Sequence, residues 1–176
     1  MKIFGLGLSR TGTGTLTEAL KLLGFTSSHY PPLRNGLDLP EHIQGFFDIP
    51  IIPIYKQLDV KYPNSKFIFS SRDINTWLRS CEYYFGNKPS SKMSGTIKKH
   101  RRLVYGSEDF DRELFSLAYL RHEVDVLKYF ENRPNDLLII DICSGEGWTK
   151  LCPFLNVSIP DVDFPHKHKS KYIKAS

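Results

Sequence analysis

The residues best suited to chemistry lie near the start of the chain, in the glycine- and threonine-rich segment Ser9–Thr15 (SRTGTGT). This segment follows a short apolar run and precedes apolar residues at helical spacing. Glycines let backbone N–H groups approach an anion closely, and a helix N-terminus adds unpaired donors and a positive dipole. Arg10 adds a planar cation that matches phosphate or sulfate oxygens. The segment predicts an anion-binding loop, and the alternative is a plain strand-to-helix turn without a ligand.

The loop differs from both common nucleotide-binding motifs. The pattern GxxxxGK[ST] fits from Gly7 to Gly12, but Thr13 then stands where the lysine should be. The loop therefore lacks the lysine that reaches the terminal phosphates of ATP or GTP. The pattern GxGxxG fits from Gly5 only as far as its third glycine, where the chain has Arg10. We therefore expect this loop to bind its anion differently from the GxxxxGK[ST] and GxGxxG loops.

A second candidate anion site follows the apolar segment Lys66–Ser71. Arg72 comes directly after this segment, and Ser80 lies about two turns along the helix predicted to follow. An arginine at the end of a strand and a hydroxyl on the helix above it can hold one phosphate from two sides. In the alternative, Arg72 pairs with Asp73 and Ser80 is an ordinary helix residue. Because the segment Ser9–Thr15 already predicts one anion site, we favour a second phosphate site at Arg72 and Ser80.

Strands and helices alternate along the chain. The sequence predicts strands over Ile3–Leu8, Phe25–Tyr30, Lys66–Ser71 and Leu137–Asp141, and helices over Leu16–Leu23, Ile51–Tyr62, Ile74–Phe85, Thr96–Tyr105, Phe110–Phe130 and Trp148–Leu155. This alternation is typical of an α/β fold with a parallel central sheet, helices on both faces and right-handed crossovers. Ligands of such sheets bind at the C-terminal ends of the strands, where Arg10, Arg72 and Asp141 are expected.

Two helices carry predictions about their faces. In the helix Phe110–Phe130 we expect a buried stripe formed by Phe110, Leu114, Leu117, Val124 and Leu127. The basic run Lys98–Arg102 is expected on a solvated helix face, with recruitment of an anionic acceptor as the alternative. The turn-rich segment 33–45 is a loop or a short helix and is a candidate lid.

Composition limits the classes of function. The chain has 176 residues, so we expect a single domain over residues 1–176, with a basic tail over residues 160–176. The net charge of +5 suits an anionic ligand but is too mild to predict nucleic-acid binding. Three cysteines show neither a disulfide framework nor zinc-ligand spacing. Without a membrane-spanning stretch or a convincing signal peptide, a cytoplasmic protein is expected.

The motifs resemble those of the sulfotransferases that use 3′-phosphoadenosine 5′-phosphosulfate (PAPS). Ser9–Leu16 (SRTGTGTL) is similar to their 5′-phosphosulfate loop, and Phe67–Asp73 (FIFSSRD), with Ser80 at the same offset, is similar to their 3′-phosphate motif. The later segments resemble a compact sulfotransferase-like branch found in microbes. These segments are Leu137–Asp141, Gly147–Leu155 and Phe164–His166.

The resemblance implies a three-layer, P-loop-like fold and a reaction. A sulfuryl group would pass from PAPS to a hydroxyl or amine of a small-molecule or glycan acceptor, leaving adenosine 3′,5′-bisphosphate (PAP), without a metal, nucleic acid or membrane. By resemblance, Arg72 and Ser80 hold the 3′-phosphate, and Arg10 replaces the usual basic residue of the loop as a catalytic and cofactor-binding group. The remaining residues expected around the 5′ end are Thr11, Gly12, Thr13, Gly14 and Thr15.

The acceptor proton needs a base, which in the family lies upstream of the 3′-phosphate strand. Asp48 occupies the matching interval, and its alternative role is a helix cap ahead of Pro50. His29 and His122 are rival bases. Trp148 is expected either in the core or stacked on adenine.

The basic tail is a candidate cover for the 3′-phosphate. Two other functions remain open from the sequence: a small-molecule or nucleoside kinase, and a non-catalytic nucleotide-binding module. The sequence predicts neither the acceptor nor the oligomeric state.

Overall fold

Five strands alternate with six α-helices in the computed structural model, which describes residues 1–31, 33 and 36–166. The strands are β1 (Ile3–Gly5), β2 (Ser27–His29), β3 (Gly45–Phe47), β4 (Lys66–Ser70) and β5 (Leu137–Ile140). The helices are α1 (Thr13–Leu22), α2 (Tyr55–Lys61), α3 (Ile74–Gly86), α4 (Gly95–Tyr105), α5 (Arg112–Tyr129) and α6 (Trp148–Leu155). The predicted alternation is confirmed. The short strand β3 was not predicted, because it is three residues of a longer apolar run.

The strands form one parallel sheet in the order β2-β3-β1-β4-β5. This sheet confirms the α/β class and fits a three-layer, P-loop-like fold. The chain leaves β1 for β2, returns through β3, and then crosses to β4 on the other side of β1. The loops after β3, β1 and β4 are therefore neighbours at the C-terminal edge, which is where open parallel sheets bind ligands.

Helices cover both faces of the sheet. On one face, Leu16 and Leu20 of α1 and Leu151 of α6 pack on Ile3 and Ile68 of the sheet. Trp148 belongs to this cluster, is 8% exposed, and donates from its indole N–H to a backbone carbonyl 2.8 Å away. Its expected place in the core is confirmed.

On the opposite face, α2 and α5 pack against phenylalanines of the sheet. Leu58 and Val126 contact a cluster that contains Phe4 and Phe67. A further apolar cluster joins α3, α4 and α5 beyond the C-terminal edge of the sheet. Its largest members are Trp77, Phe85, Tyr105 and Phe115. This aromatic cluster positions α3 and α4 beside the loop that follows β1.

The predicted buried stripe of α5 is wrong. Leu117 and Val124 are each 64% exposed, and Leu114 and Leu127 are about 40% exposed. Of the five predicted positions only Phe110, which precedes the helix, packs against a core cluster. The residues of α5 that are buried are Phe115, Ala118, Tyr119 and Val126. The helix has apolar residues on two opposite faces, and the face with the larger aromatic side chains fills the space beneath α3 and α4.

The basic run of α4 is only partly solvated. Arg101 is 3% exposed and donates to the backbone carbonyls of Lys88 and Glu108, 3.3 and 2.8 Å away. Lys98 and Arg102 form ion pairs with the Glu108 carboxylate. The expectation of a solvated face is therefore wrong for Arg101, whose buried cation orders the segment between α3 and α5.

Other expectations meet the structure only in part. The basic tail beyond His166 and positions 34 and 35 of the candidate lid lie outside the described residues. Asp73 caps α3, because its side chain accepts a hydrogen bond from the backbone N–H of Thr76 at 2.9 Å. In the described part of the chain, no helix is long and apolar enough to cross a bilayer.

Candidate functional site

The loop between β1 and α1 ends in a helix start with unpaired donors. Gly12 has φ 99°, which favours glycine, and its carbonyl accepts the first helical hydrogen bond from Leu16 N at 3.0 Å. The backbone N–H groups of Thr13 and Gly14 come before this bond and have no acceptor inside the helix. Gly12 provides no side-chain cap, and the first turn has no acidic residue. These donors and the helix dipole favour an anion.

Thr11 holds the loop against β4. Its hydroxyl lies 2.7 Å from the Leu8 carbonyl and 2.7 Å from the Ser70 hydroxyl, and Thr11 is 1% exposed. The Thr11 backbone N–H also donates to Leu8 O at 3.2 Å. The polar donors of Thr11 are therefore engaged within the protein. Its contribution is to shape the loop.

Gly7 allows the contact between the loop and β4. A Cβ atom at Gly7 would lie 1.8 Å from Ser70 Oγ, 2.5 Å from Thr11 Oγ1 and 2.9 Å from the Ser70 carbonyl oxygen. We expect Gly7→Ala to separate Thr11 from Ser70 and to lower the free energy of unfolding by about 1–3 kcal/mol. Thermal and denaturant unfolding measure this change. Gly86→Ala is the control, because a Cβ atom there meets nothing within 4 Å, and an equal loss in that variant would contradict the explanation.

Both predicted arginines lie together at the C-terminal edge of the sheet. Arg72 Nη1 donates to the backbone carbonyl of Arg10 at 2.9 Å, although the two residues belong to loops after different strands. Arg10 Nε donates to Ser80 Oγ at 3.1 Å, and its guanidinium lies 4.7 Å from the centre of the Tyr84 ring. The structure therefore brings Arg10, Arg72 and Ser80 together. Ser80 is hydrogen-bonded to Arg10, and among the described residues no hydrogen bond joins it to Arg72.

The two arginines create positive potential beyond their direct contacts. Burial raises the pKa of the Cys81 thiol on α3, and the charges of Arg10 and Arg72 oppose that rise. The pKa of Cys143, which follows β5, is also raised by burial, and the same two charges oppose the rise. The charges of Arg10 and Arg72 therefore act on both α3 and the segment after β5, although the charge of Asp141 opposes them at Cys143.

Asp48 lies directly after β3, beside the loop. Its Oδ1 accepts hydrogen bonds from Ser9 Oγ and Ile49 N, both at 2.8 Å. Its Oδ2 lies 3.4 Å from His29 Nε2, and that nitrogen is also 3.1 Å from Thr13 Oγ1. The structure thus joins Asp48, a rival base and the first residue of α1. The side chain of Asp48 is 10% exposed, whereas that of His29 is 40% exposed.

Asp48 does not cap a helix, which was its alternative role. The helix α2 begins at Tyr55, after a 3-10 turn over Ile52–Ile54, and neither element has a side-chain cap. The carboxylate accepts instead from Ile49 N, directly after it in the chain. Asp48 has φ 83°, an unfavourable conformation for a residue with a side chain. The backbone turns sharply here and places the carboxylate against the loop.

The other rival base lies elsewhere. His122 on α5 donates from Nε2 to the Leu6 carbonyl at 2.6 Å, and its ring packs edge-on against Phe69. Burial lowers the pKa of His122, although the hydrogen bond to Leu6 opposes this. His122 is partly buried and lines a cavity with Arg121 and Asp125. Among the described residues, no hydrogen bond or ion pair joins it to Asp48, Arg10 or Arg72.

A pair beside Asp48 was missed by the sequence reasoning. Tyr30 OH lies 2.9 Å from His100 Nδ1, which joins the end of β2 to α4. Burial raises the pKa of Tyr30, and the charge of Asp48 raises it further. The pKa of His100 is lowered by burial and by Lys99, against the opposing effect of Asp48. No local motif marks this pair, because the two residues meet only through the packing of α4.

The chain has a parallel α/β sheet with a cationic loop and a second arginine at its C-terminal edge, which is an arrangement suited to anionic ligands. The comparison with protein families is more specific: the model of the sulfotransferase domain matches residues 34–173. The chain therefore belongs to the sulfotransferase domain family, which is a family of transferases. The matched range contains Asp48, Arg72 and Ser80, and it begins after the Arg10 loop.

The chain is also similar over nearly its full length to one curated protein. This relative is "Ava biosynthesis cluster protein M" from Aspergillus versicolor, which is 23% identical over 226 residues, covering 99% of this chain and 86% of the relative. The alignment includes the loop that precedes the family match.

Proposed function

We propose that this protein transfers a sulfuryl group from PAPS to a hydroxyl or amine of a small-molecule or glycan acceptor. The observation that carries the proposal is the contact between the loops that carry Arg10 and Arg72, just ahead of the start of α1, with Arg72 Nη1 2.9 Å from the Arg10 carbonyl. PAPS carries anionic groups at both ends of one adenosine, and two arginines from neighbouring strand ends suit such a ligand. Membership of the sulfotransferase family supports the same reaction class.

The donor atoms at this edge of the sheet fit a polyanion. Within the described residues, the two terminal nitrogens of Arg10 and one of those of Arg72 have no hydrogen-bond partner. We assign Arg72, with Ser80, to the 3′-phosphate. We assign Arg10 and the backbone N–H groups of Thr13 and Gly14 to the 5′-phosphosulfate. Gly12 and Thr15 shape the first turn around them.

The loop lacks the lysine of the GxxxxGK[ST] motif, and we propose that Arg10 takes over its role. PAPS, when bound, supplies a sulfuryl group joined to a phosphate leaving group. Arg10 comes three residues before the start of α1, so we assign it to the negative charge that develops on the leaving oxygen. Its contact with Ser80 and its position over Tyr84 hold the guanidinium in place before ligand binds.

Asp48 is our proposed base. Its Oδ1 already accepts two hydrogen bonds, so Oδ2 is the oxygen left to receive the acceptor proton. His29 Nε2 lies 3.4 Å from Oδ2 and is more exposed, so it is placed to pass that proton to solvent. Thr13 Oγ1, 3.1 Å from the same nitrogen, keeps the imidazole next to the helix start.

Ligand-dependent stabilisation tests the function. We expect PAP to raise the melting temperature in the presence of EDTA, because the proposed site holds both phosphates with arginine and backbone donors. Adenosine 5′-monophosphate should stabilise less. Stabilisation only by Mg-ATP would indicate a kinase-like site instead. Binding of PAP without release of PAP from PAPS, across a panel of phenols, alcohols and amines, would indicate a non-catalytic nucleotide-binding module.

A further inference from the structure

The outer face of α5 has an apolar stripe that nothing in the described part of the chain covers. Leu117 and Val124 are each 64% exposed and Leu120 is 50% exposed. Leu114 and Leu127 extend the stripe at 39% and 40% exposure. These residues recur at intervals of three and four and form one continuous line on the helix. A line of this length differs from scattered apolar surface residues and marks an interaction surface.

From this stripe we infer that α5 is the interface of a homodimer, in which it packs antiparallel against α5 of a second copy. The two-fold axis would pass between Leu120 and Arg121. This axis places Leu117 of one copy opposite Val124 of the other, and Leu114 opposite Leu127. Four of the five stripe residues then lie opposite apolar residues, as in the seam of an antiparallel coiled coil. The fifth, Leu120, lies next to the axis, about 1.5 Å along the helix from Leu120 of the other copy.

Charge favours this register over the alternatives. The axis between Leu120 and Arg121 places Glu113 of each copy opposite Lys128 of the other. Both are exposed, and neither forms an ion pair within the described residues. An axis through His122 would instead place Glu113 opposite Glu131. A parallel pair would place Glu113 opposite Glu113 and Lys128 opposite Lys128. Of these three arrangements, only the first combines apolar contacts with opposite charges.

The buried face of α5 makes the arrangement compatible with the fold. Phe115, Tyr119 and Val126, on the other side of the helix, anchor it to the core, so α5 presents its outer face as a rigid surface. One pair of five-turn helices is a small interface, near the lower limit for specific association. We therefore expect a reversible dimer with a micromolar dissociation constant. The proposed active site at the sheet edge remains open in each copy.

Sedimentation analysis of the full chain over a range of concentrations tests the dimer. We expect self-association, and we expect Leu117→Glu to weaken it about 100-fold or more, because the apolar centre of the seam is lost. Val60→Glu is the matched control, since Val60 is 81% exposed on α2 and lies outside the stripe. A monomer at all concentrations, or equal effects of the two substitutions, would overturn the proposal.

A charge exchange tests the register without altering the apolar residues. Glu113→Lys and Lys128→Glu should each weaken the dimer about tenfold, because each places like charges opposite one another twice. The double variant should restore the original affinity. Within one copy the two side chains are about 22 Å apart along the helix, too far to pair with each other. A dimer that is insensitive to the single substitutions, or a double variant without recovery, would rule out this antiparallel register.

Discussion

Replacing Arg72 with alanine is expected to weaken PAP binding far more than binding of adenosine 5′-monophosphate. Arg72 is assigned to the 3′-phosphate, which only the first of these ligands has. Loss of a charged hydrogen-bonding partner of a phosphate should cost about 2–3 kcal/mol, or roughly 30- to 150-fold in affinity. The monophosphate should lose much less, through the lost bond from Arg72 to the Arg10 carbonyl. Isothermal titration calorimetry with both ligands measures the two losses separately.

Two control variants show whether Arg72 binds the 3′-phosphate directly or acts only through its positive charge. Arg72→Lys keeps the charge but loses the planar fork, so it should recover part of the affinity. Arg79→Ala removes the same charge from the exposed side of α3 and should leave both affinities within about twofold. Equal losses for the two ligands in Arg72→Ala would remove the 3′-phosphate assignment. The melting temperature of each variant without ligand shows whether the fold is retained.

Asp48→Asn is expected to reduce turnover by roughly 100-fold or more, because the amide cannot take the acceptor proton. The amide oxygen can still accept from Ser9 and Ile49, so the turn after β3 should be preserved. Removing a negative charge beside an anion site should leave PAP affinity unchanged or slightly higher. Release of PAP from PAPS in the presence of an acceptor gives the turnover, and calorimetry gives the affinity.

The control for this substitution is Asp73→Asn. Asp73 caps α3, and asparagine caps helices as well as aspartate does, so turnover should change by no more than about twofold. His29→Ala should lower turnover less than Asp48→Asn, since His29 is assigned only to onward proton transfer. A larger effect in His29→Ala would make the imidazole the base. Unchanged turnover in Asp48→Asn would remove the carboxylate from the mechanism.

Local sequence was sufficient where a single segment determines the structure. The turn after β1 and the loop before α3 each combine an apolar strand with residues that end it, and both arginines were predicted at strand ends. Their meeting also follows from the parallel sheet, because the ends of neighbouring parallel strands share an edge. The contact of Arg10 with Ser80 was not predictable, since it depends on how α3 lies over the loop.

Periodicity failed where a helix has two apolar faces. The outer stripe of α5, centred on Leu117 and Val124, has the same helical spacing as its buried face. Tyr119 and Ala118 contribute less hydrophobicity than leucine, yet they face the core because their shapes fit beneath α3. Spacing cannot choose between such faces, and only the packing of neighbouring helices does. The prediction therefore selected the face with more leucines, which is the exposed one.

Ser9 connects three separate parts of the fold through its polar atoms. Its backbone N–H donates to the Tyr105 hydroxyl at 3.1 Å, its carbonyl accepts from the Trp77 indole at 2.9 Å, and its own hydroxyl donates to Asp48. Burial raises the pKa of Tyr105 well above that of an ordinary phenol, so this hydroxyl stays protonated at neutral and moderately alkaline pH. The anchorage of the loop should therefore be constant across that range. Any variant with changes in α4 would need to retain the Tyr105 hydroxyl to keep this anchorage.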